Sequence, residues 1–183
     1  MQSTNVSSVN PASAWVTSHV HYIKRGGRVL DVAAGTGRNA IWMAQQGFMV
    51  EAVDRDAVAL SAMLGVPNIS IRVADLEAGL WPYSNQVFDA ILVCRYLHRP
   101  LLSMLPASLA PGGVLIYETF MQGHEAYGRP QNPDFLLLPD ELKDIFGGLL
   151  DIQGFEQGLL NHDPPAVMQR ICAILRLRQD GAV

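Results

Sequence analysis

Cysteine is scarce in this chain: Cys94 and Cys172 are the only two among 183 residues. Two thiols exclude a disulfide-stapled scaffold and a four-cysteine zinc module. Charge is also sparse, at 16% of residues, and 13 Lys+Arg against 17 Asp+Glu leave a net charge of -4. A general nucleic-acid binder shows a basic excess, so nucleic acid is not an expected partner. Apolar runs such as Ala90 to Cys94 fall far short of the roughly 20 residues of a membrane helix. Met1 to Asn10 is polar and uncharged, without the basic and apolar regions of a secretory signal. These absences set the expectation of a cytoplasmic chain with no membrane partner. With 49% hydrophobic residues, a sizeable core is available, and the length fits one domain over 1–183. Oligomeric state leaves no mark on the sequence.

What is present alternates short β-branched runs with helical stretches, the pattern of an α/β fold on a parallel sheet. Asn10-Pro11 starts an N-terminal helical segment (1–26) running through Trp15, Val16, Val20 and Ile23 to Gly26-Gly27. Strands are expected at Arg28 to Ala33, Phe48 to Val53, Ile69 to Ala74, Val87 to Cys94 and Val114 to Glu118. Helices are expected through Ile41, Trp42 and Ala44, over Ala57 to Leu64, and from Pro139-Asp140-Glu141 onward. A further helix, broken by Pro106, precedes the turn Pro111-Gly112-Gly113, whereas Gly79, Pro82 and Asn85 argue against a full helix over Leu76 to Gln86. Thr119 to Leu138 reads as a long ordered loop, the kind usually kept for function, and is expected to be a substrate lid. Leu149 to Leu160 and Ala166 to Leu177 form a closing antiparallel pair of strands.

The chemistry concentrates at strand ends. Asp31 is delivered by the first strand, and Gly35-Thr36-Gly37 then turns the chain into a helix, where missing Cβ atoms let backbone approach a ligand. Gly35 to Ala40 also fits the dinucleotide pattern G-x-G-x-x-G/A. Asp54, followed by Arg55, ends the second strand, where a carboxylate can accept from both hydroxyls of a ribose. Asp75 and Leu76 end the third, placed for an adenine ring's amine and its apolar face. An ordinary tight turn, a helix cap and a turn-initiating aspartate explain these features singly.

Taken in order, the segments VLDVAAGTGRNA, EAVDRD, VADLE, FDAILV and LAPGGVLIYE resemble the successive motifs of the class I S-adenosylmethionine-dependent methyltransferases. The Gly37-Arg38-Asn39 run is similar to small bacterial methyltransferases of the tellurite-resistance type. Ala33 departs from that pattern, standing where many members have their first glycine. The resemblance implies a Rossmann-like seven-stranded sheet in the order 3-2-1-4-5-7-6, with strand seven antiparallel and helices on both faces. It also implies S-adenosylmethionine as cofactor and S-adenosylhomocysteine as product. Asp31 would then face the methionine amino group, Gly35 and Gly37 the methionine part, Asp54 the ribose, Asp75 and Leu76 the adenine, and the Cys94 carbonyl the amine, with Ala33 and Arg55 also among the cofactor-binding residues.

Such enzymes share no universal catalytic residue, because an activated methyl mainly needs alignment. Cys94-Arg95-Tyr96-Leu97 stands where amino-methylating DNA enzymes carry Asp/Asn-Pro-Pro-aromatic; Asp163-Pro164-Pro165 is read as a turn, and neither cysteine follows proline. Arg95, Tyr96, Arg99, Glu118, His124, Tyr127 and Arg129 gather around one expected mouth and point to a small anionic acceptor. Their alternative is mutual pairing or solvation. His98 is the candidate general base, against a structural hydrogen-bonding role. His19 and His21 point to different helix faces, and His124 and His162 have no ligand-spaced partner, so no metal is expected. Three alternatives stay open: an NAD(P)-dependent oxidoreductase, a noncatalytic cofactor-binding subunit, and a protein or RNA acceptor.

Overall fold

The structure, a computed structural model, describes residues 11–160 and 164–177. The Asn10 cap, His162, Asp163 and the first ten residues lie outside them. Seven strands are β1 (Arg28–Val32), β2 (Met49–Asp54), β3 (Ile69–Val73), β4 (Phe88–Cys94), β5 (Leu109–Phe120), β6 (Leu150–Leu160) and β7 (Ala166–Leu175). They form one sheet in the order β3-β2-β1-β4-β5-β7-β6. β7 runs antiparallel to both β5 and β6, and the remaining pairs are parallel. The architecture expected from the sequence is therefore present.

β1 and β4 are central because their runs are apolar on both faces, as strands covered by helices on each side require. Alternate residues feed two cores. Val29, Ala90, Leu92, Val114 and Ile116 pack under α1 (Ala14–His19), α2 (Arg38–Gln45) and α3 (Ala57–Leu60), with Trp15, Met43 and Leu60. Leu30, Ile91, Val93 and Leu115 face α4 (Arg99–Leu102), α5 (Met104–Ala107) and α6 (Glu141–Phe146), with Leu102, Leu105 and Phe146. The 76–86 connection contributes Trp81 and Tyr83 to that second core, in edge-on contact with each other and with Phe88.

Most strands shift by a residue or two from their sequence-based bounds, and three elements differ more. α1 begins at Ala14 because Ser13 caps it, its side chain accepting from the amides of Trp15 and Val16; a short 3-10 turn over Val20–Tyr22 follows. The helix expected over residues 57–64 is one α turn and one 3-10 turn. β5 starts five residues early, at Leu109, so Pro111-Gly112-Gly113 lies within the strand rather than before it. Gly113 permits this, since a Cβ there would sit 2.7 Å from the Ala110 carbonyl and 3.0 Å from that of Phe88. The register of β5 against β4 shifts at the same place.

The turn between β1 and α2 carries left-handed residues at Ala33 (φ 54), Gly35 (φ 56) and Gly37 (φ 80). A Cβ on Gly37 would overlap the Met63 sulfur, whereas one on Gly35 would enter open space. Gly37→Ala should therefore destabilise the protein by more than the about 1–2 kcal/mol of the left-handed penalty, since overpacking adds to it. Gly35→Ala should cost that penalty alone. Urea unfolding curves that rank the two variants the other way would refute this packing argument.

Candidate active site

Parallel strands end on one rim, and four carboxylates meet there. Asp31 lies one residue inside the end of β1, is 2% exposed, and its Oδ2 has no partner. Burial pushes its carboxyl up to about 7, against the smaller opposing pull of the Ala40 amide and the Arg38 guanidinium; the Asp54 charge adds to the rise. Asp54, at the tip of β2, accepts from the Gly35 amide at 2.8 Å through Oδ2 and from the Asp56 amide at 2.9 Å through Oδ1. It thus ties the glycine turn to the next strand, and each oxygen retains acceptor capacity. Asp75, exposed just past β3, accepts from the amides of Glu77 (2.9 Å) and Ala78 (3.3 Å), which hold its carboxyl below the usual range. Glu118, on β5, is 4% exposed and lies 3.9 Å from Arg38.

Two clefts open over this rim. The first, of about 290 Å³, is lined by Ala33, Asp54, Arg55, Ala74, Asp75, Leu76, Glu77, Arg95 and Tyr96. The second, of about 440 Å³, runs between residues 11–14, Arg38, Arg95, Glu118, Phe120 and the His124 to Arg129 stretch. Arg95 belongs to both, and to a third cleft of about 280 Å³ that reaches Pro130 and Phe135. It is held in a left-handed conformation (φ 57), its amide donating to the Glu118 carbonyl at 2.8 Å. Such strain in a non-glycine residue concentrates at functional sites.

Residues 121–138 are anchored at both ends. His124 is buried, stacks on Phe120, accepts from the Val167 amide through Nδ1 (3.3 Å) and donates from Nε2 to the Arg129 carbonyl (3.0 Å). Both ring nitrogens are used, so His124 shapes the wall rather than offering a free group. At the other end, Arg99 forms two bonds to Glu141, of 2.7 and 3.0 Å. It also donates to the carbonyls of Asp134 and Leu136, both at 2.8 Å. The sequence reading of Arg99 as a residue of the mouth is corrected by these four bonds, which commit most of its donors to the chain. Arg38, which the sequence reading left without a role, stands in the second cleft instead.

The other expected residues sort as follows. Ala33, Asp54, Arg55, Asp75 and Leu76 come together in the first cleft, joined by Tyr96. Glu118, Tyr127 and Arg129 line the second. Gly37 turns its bare face to Met63 and lines none of these clefts. Cys94 pairs in register with Glu118, and burial together with the Glu118 and Asp31 charges pushes its thiol well up, so it stays protonated. His98 heads α4 and lines none of these three clefts. Glu77 and Ser13 are wall residues that sequence reasoning missed. Ser13 was recoverable as a helix cap, and its amide donates to Asn39 Oδ1 at 2.9 Å.

The buried, unpartnered carboxylate oxygen of Asp31 fits a ligand that brings a cation. The acid at the tip of β2 and the apolar Leu76 beside Asp75 fit a nucleoside. With the strand order, these features define a class I S-adenosylmethionine-dependent methyltransferase. The family model described as Methyltransferase domain matches residues 10–143. The chain belongs to that family, whose cofactor is S-adenosylmethionine. A protein-L-isoaspartate O-methyltransferase from Methylorubrum extorquens is 38% identical over 100 residues, which are 51% of this chain and 42% of that relative. The chain thus spans less than half the length of that relative. Among solved structures, TehB from Haemophilus influenzae aligns over 88% of this chain and 61% of its own, with TM-score 0.72 and 18% identity. A TehB-like SAM-dependent methyltransferase from Corynebacterium glutamicum aligns over 88% and 87%, with TM-score 0.65 and 16% identity. These two likenesses show the fold.

Asp31 makes the ligand-free protein pH-sensitive. Its folded pKa, about 7, is raised above the ordinary carboxylate value of 3.8, so the folded state holds the extra proton between those values. Its contribution to stability is most favourable below that window and is lost as pH rises through it. Asp31→Asn should therefore raise stability more at pH 8 than at pH 5, by urea unfolding. An effect independent of pH would contradict the burial of the charge.

Proposed function

We propose that this chain acts as one methyltransferase domain, passing the methyl group of S-adenosylmethionine to a small anionic acceptor. The observation that carries the reading is the guanidinium wall of the second cleft, Arg38, Arg95 and Arg129, adjoining the carboxylate-rimmed first cleft. When bound, S-adenosylmethionine supplies an electrophilic methyl on a sulfonium. Asp54 accepts from the ribose hydroxyls with the capacity its two backbone bonds leave. Asp75 and Leu76 take the adenine, and Asp31 takes the ammonium. Arg95, at the junction of the clefts, aligns the acceptor with the methyl for in-line displacement, and the lid expected over 119–138 is shortened to 121–138, since Thr119 and Phe120 belong to β5, and carries Tyr127 and Arg129. The acceptor atom forms its bond to carbon as the carbon–sulfur bond breaks and the electron pair returns to sulfur.

An anionic oxygen acceptor brings no proton to remove, so no general base is needed. That suits the placement of His98 outside the cleft walls, and His98 becomes relevant only for a protonated nucleophile. The name of the isoaspartate relative specifies methylation on oxygen, a chemistry of the same kind.

Asp54→Ala should weaken S-adenosylhomocysteine binding at least tenfold, because hydrogen bonds to a charged acceptor contribute about 1.5–3 kcal/mol. Calorimetry against both S-adenosylhomocysteine and NAD also separates the oxidoreductase alternative. Unchanged affinity in a folded variant would remove the ribose assignment. Methyl label from the cofactor should enter anionic metabolites of a cell extract, and Arg129→Ala should cut that transfer while cofactor affinity holds. Label recovered in protein or RNA would overturn the small acceptor, and no transfer at all would leave a noncatalytic subunit.

A further inference from the structure

The third cleft, of about 280 Å³, touches both of the others. It shares Arg55, Glu77, Arg95 and Tyr96 with the first, and Arg95 and Phe120 with the second. A group lodged there is next to the nucleoside cleft on one side and to the arginine wall on the other. The lining is of two kinds. Tyr96, Phe120 and Phe135 are aromatic, whereas Arg55 and Arg95 bring two guanidiniums against the one carboxylate of Glu77. Neither arginine forms an ion pair among the described residues.

The aromatic part of this lining is held in place. Phe120 ends β5 and stacks on His124 with ring centroids 4.1 Å apart, and that imidazole is itself bonded through both nitrogens. The Tyr96 carbonyl accepts from the hydroxyl of buried Tyr117 at 2.9 Å. Phe135 is 48% exposed, yet its backbone is clamped: Arg99 donates to the carbonyls on either side of it, those of Asp134 and Leu136, both at 2.8 Å. A solitary exposed phenylalanine needs no explanation. One that shares a cleft with two other aromatic residues, on a braced segment, is a preformed surface for a ligand.

We infer that the third cleft receives the body of the acceptor, and that this body is a planar aromatic ring bearing a carboxylate. The inference rests on the small-anion reading above and deepens it. Aromatic rings favour offset or edge-on contact with one another, and a guanidinium favours both an aromatic face and a carboxylate, so the two kinds of lining suit one ligand. A cavity of roughly 150 Å³ takes up benzene. A cleft of about 280 Å³ therefore suits one substituted ring rather than a peptide or an oligonucleotide. Arg95, common to all three clefts, holds the carboxylate, which is ionised at neutral pH and needs no base. One of its oxygens forms the bond to the methyl carbon as the carbon–sulfur bond breaks and the electron pair returns to sulfur, leaving a methyl ester and S-adenosylhomocysteine. Phe135 selects for the ring, and Arg99 is the positioning residue that sets Phe135.

Calorimetry on the protein saturated with S-adenosylhomocysteine tests this with four probes: benzoate, its saturated counterpart cyclohexanecarboxylate, acetate, and uncharged benzyl alcohol. Benzoate should bind about tenfold or more tightly than acetate or benzyl alcohol, and also more tightly than cyclohexanecarboxylate. Phe135→Ala should cut the preference for benzoate over acetate about threefold or more, with the affinities for acetate and S-adenosylhomocysteine unchanged. Phe135→Tyr, which keeps the ring, should retain the preference, and Arg99→Lys should shrink it without weakening acetate. Arg95→Gln should weaken benzoate and acetate alike. Benzoate no tighter than acetate, or cyclohexanecarboxylate equal to benzoate, would overturn the aromatic acceptor and leave the small-anion reading standing. A Phe135→Ala variant that loses acetate as much as benzoate would make Phe135 a structural support and overturn the inference. Benzyl alcohol as tight as benzoate, or no carboxylate bound while S-adenosylhomocysteine binds, would remove the anionic acceptor itself.

Discussion

A carboxylate kept from water without a partner is costly, and Asp31 is such a group. Everything around it enforces the position. β1 is covered on both faces, so a residue at its end cannot turn outward to solvent. α2 packs Ala40 and Met43 against the sheet and closes the remaining side. The bond from the Gly35 amide to Asp54 fixes the turn that connects the two. The sheet order matters because it puts β1 between β2 and β4, so the most buried acid lies where the strand succession reverses and a crevice opens. The fold bears that cost in full once the carboxyl ionises, above its raised pKa of about 7.

Positive charge is distributed by a different logic. Arg99 is consumed in bracing the 121–138 segment against α6, and Arg170 and Arg176 hold β7 and the residue after it to β6 through Glu156 and Asp151. These are surface pairs of modest energy, but their bidentate or multiple contacts set geometry. Arg38, Arg95 and Arg129 make few such contacts and face cavities instead. Of these three, Arg38 alone has a side-chain partner among the described residues, the Pro11 carbonyl and Glu118.

The sheet and the cofactor-side acids were legible because both depend on local sequence. An apolar run flanked by a glycine turn specifies a strand, its end and the acid at that end, and Asp31, Asp54 and Asp75 all fall where such runs stop. The acceptor side was legible only in part. Arg99, Arg95 and Arg129 look alike in sequence, and what separates them is the fold, through carbonyls of Asp134 and Leu136 brought to Arg99 from thirty-five and more positions away. His124 was visible as a lid residue, but its two bonds depend on where the Arg129 carbonyl and the Val167 amide of β7 come to lie, which spacing does not reveal. The early start of β5 escaped because Pro-Gly-Gly reads as a turn, whereas here the missing side chain of Gly113 lets strand continue.

Consecutive residues at the head of α2 also hold the segment before α1: Arg38 through the Pro11 carbonyl and Asn39 through the Ser13 amide. The fastening and part of the second cleft's wall therefore share one short stretch of helix. An affinity handle or fusion partner joined upstream of residue 11 would tug on that stretch, so the choice of tagged terminus is an experimental variable that every titration of this protein has to control.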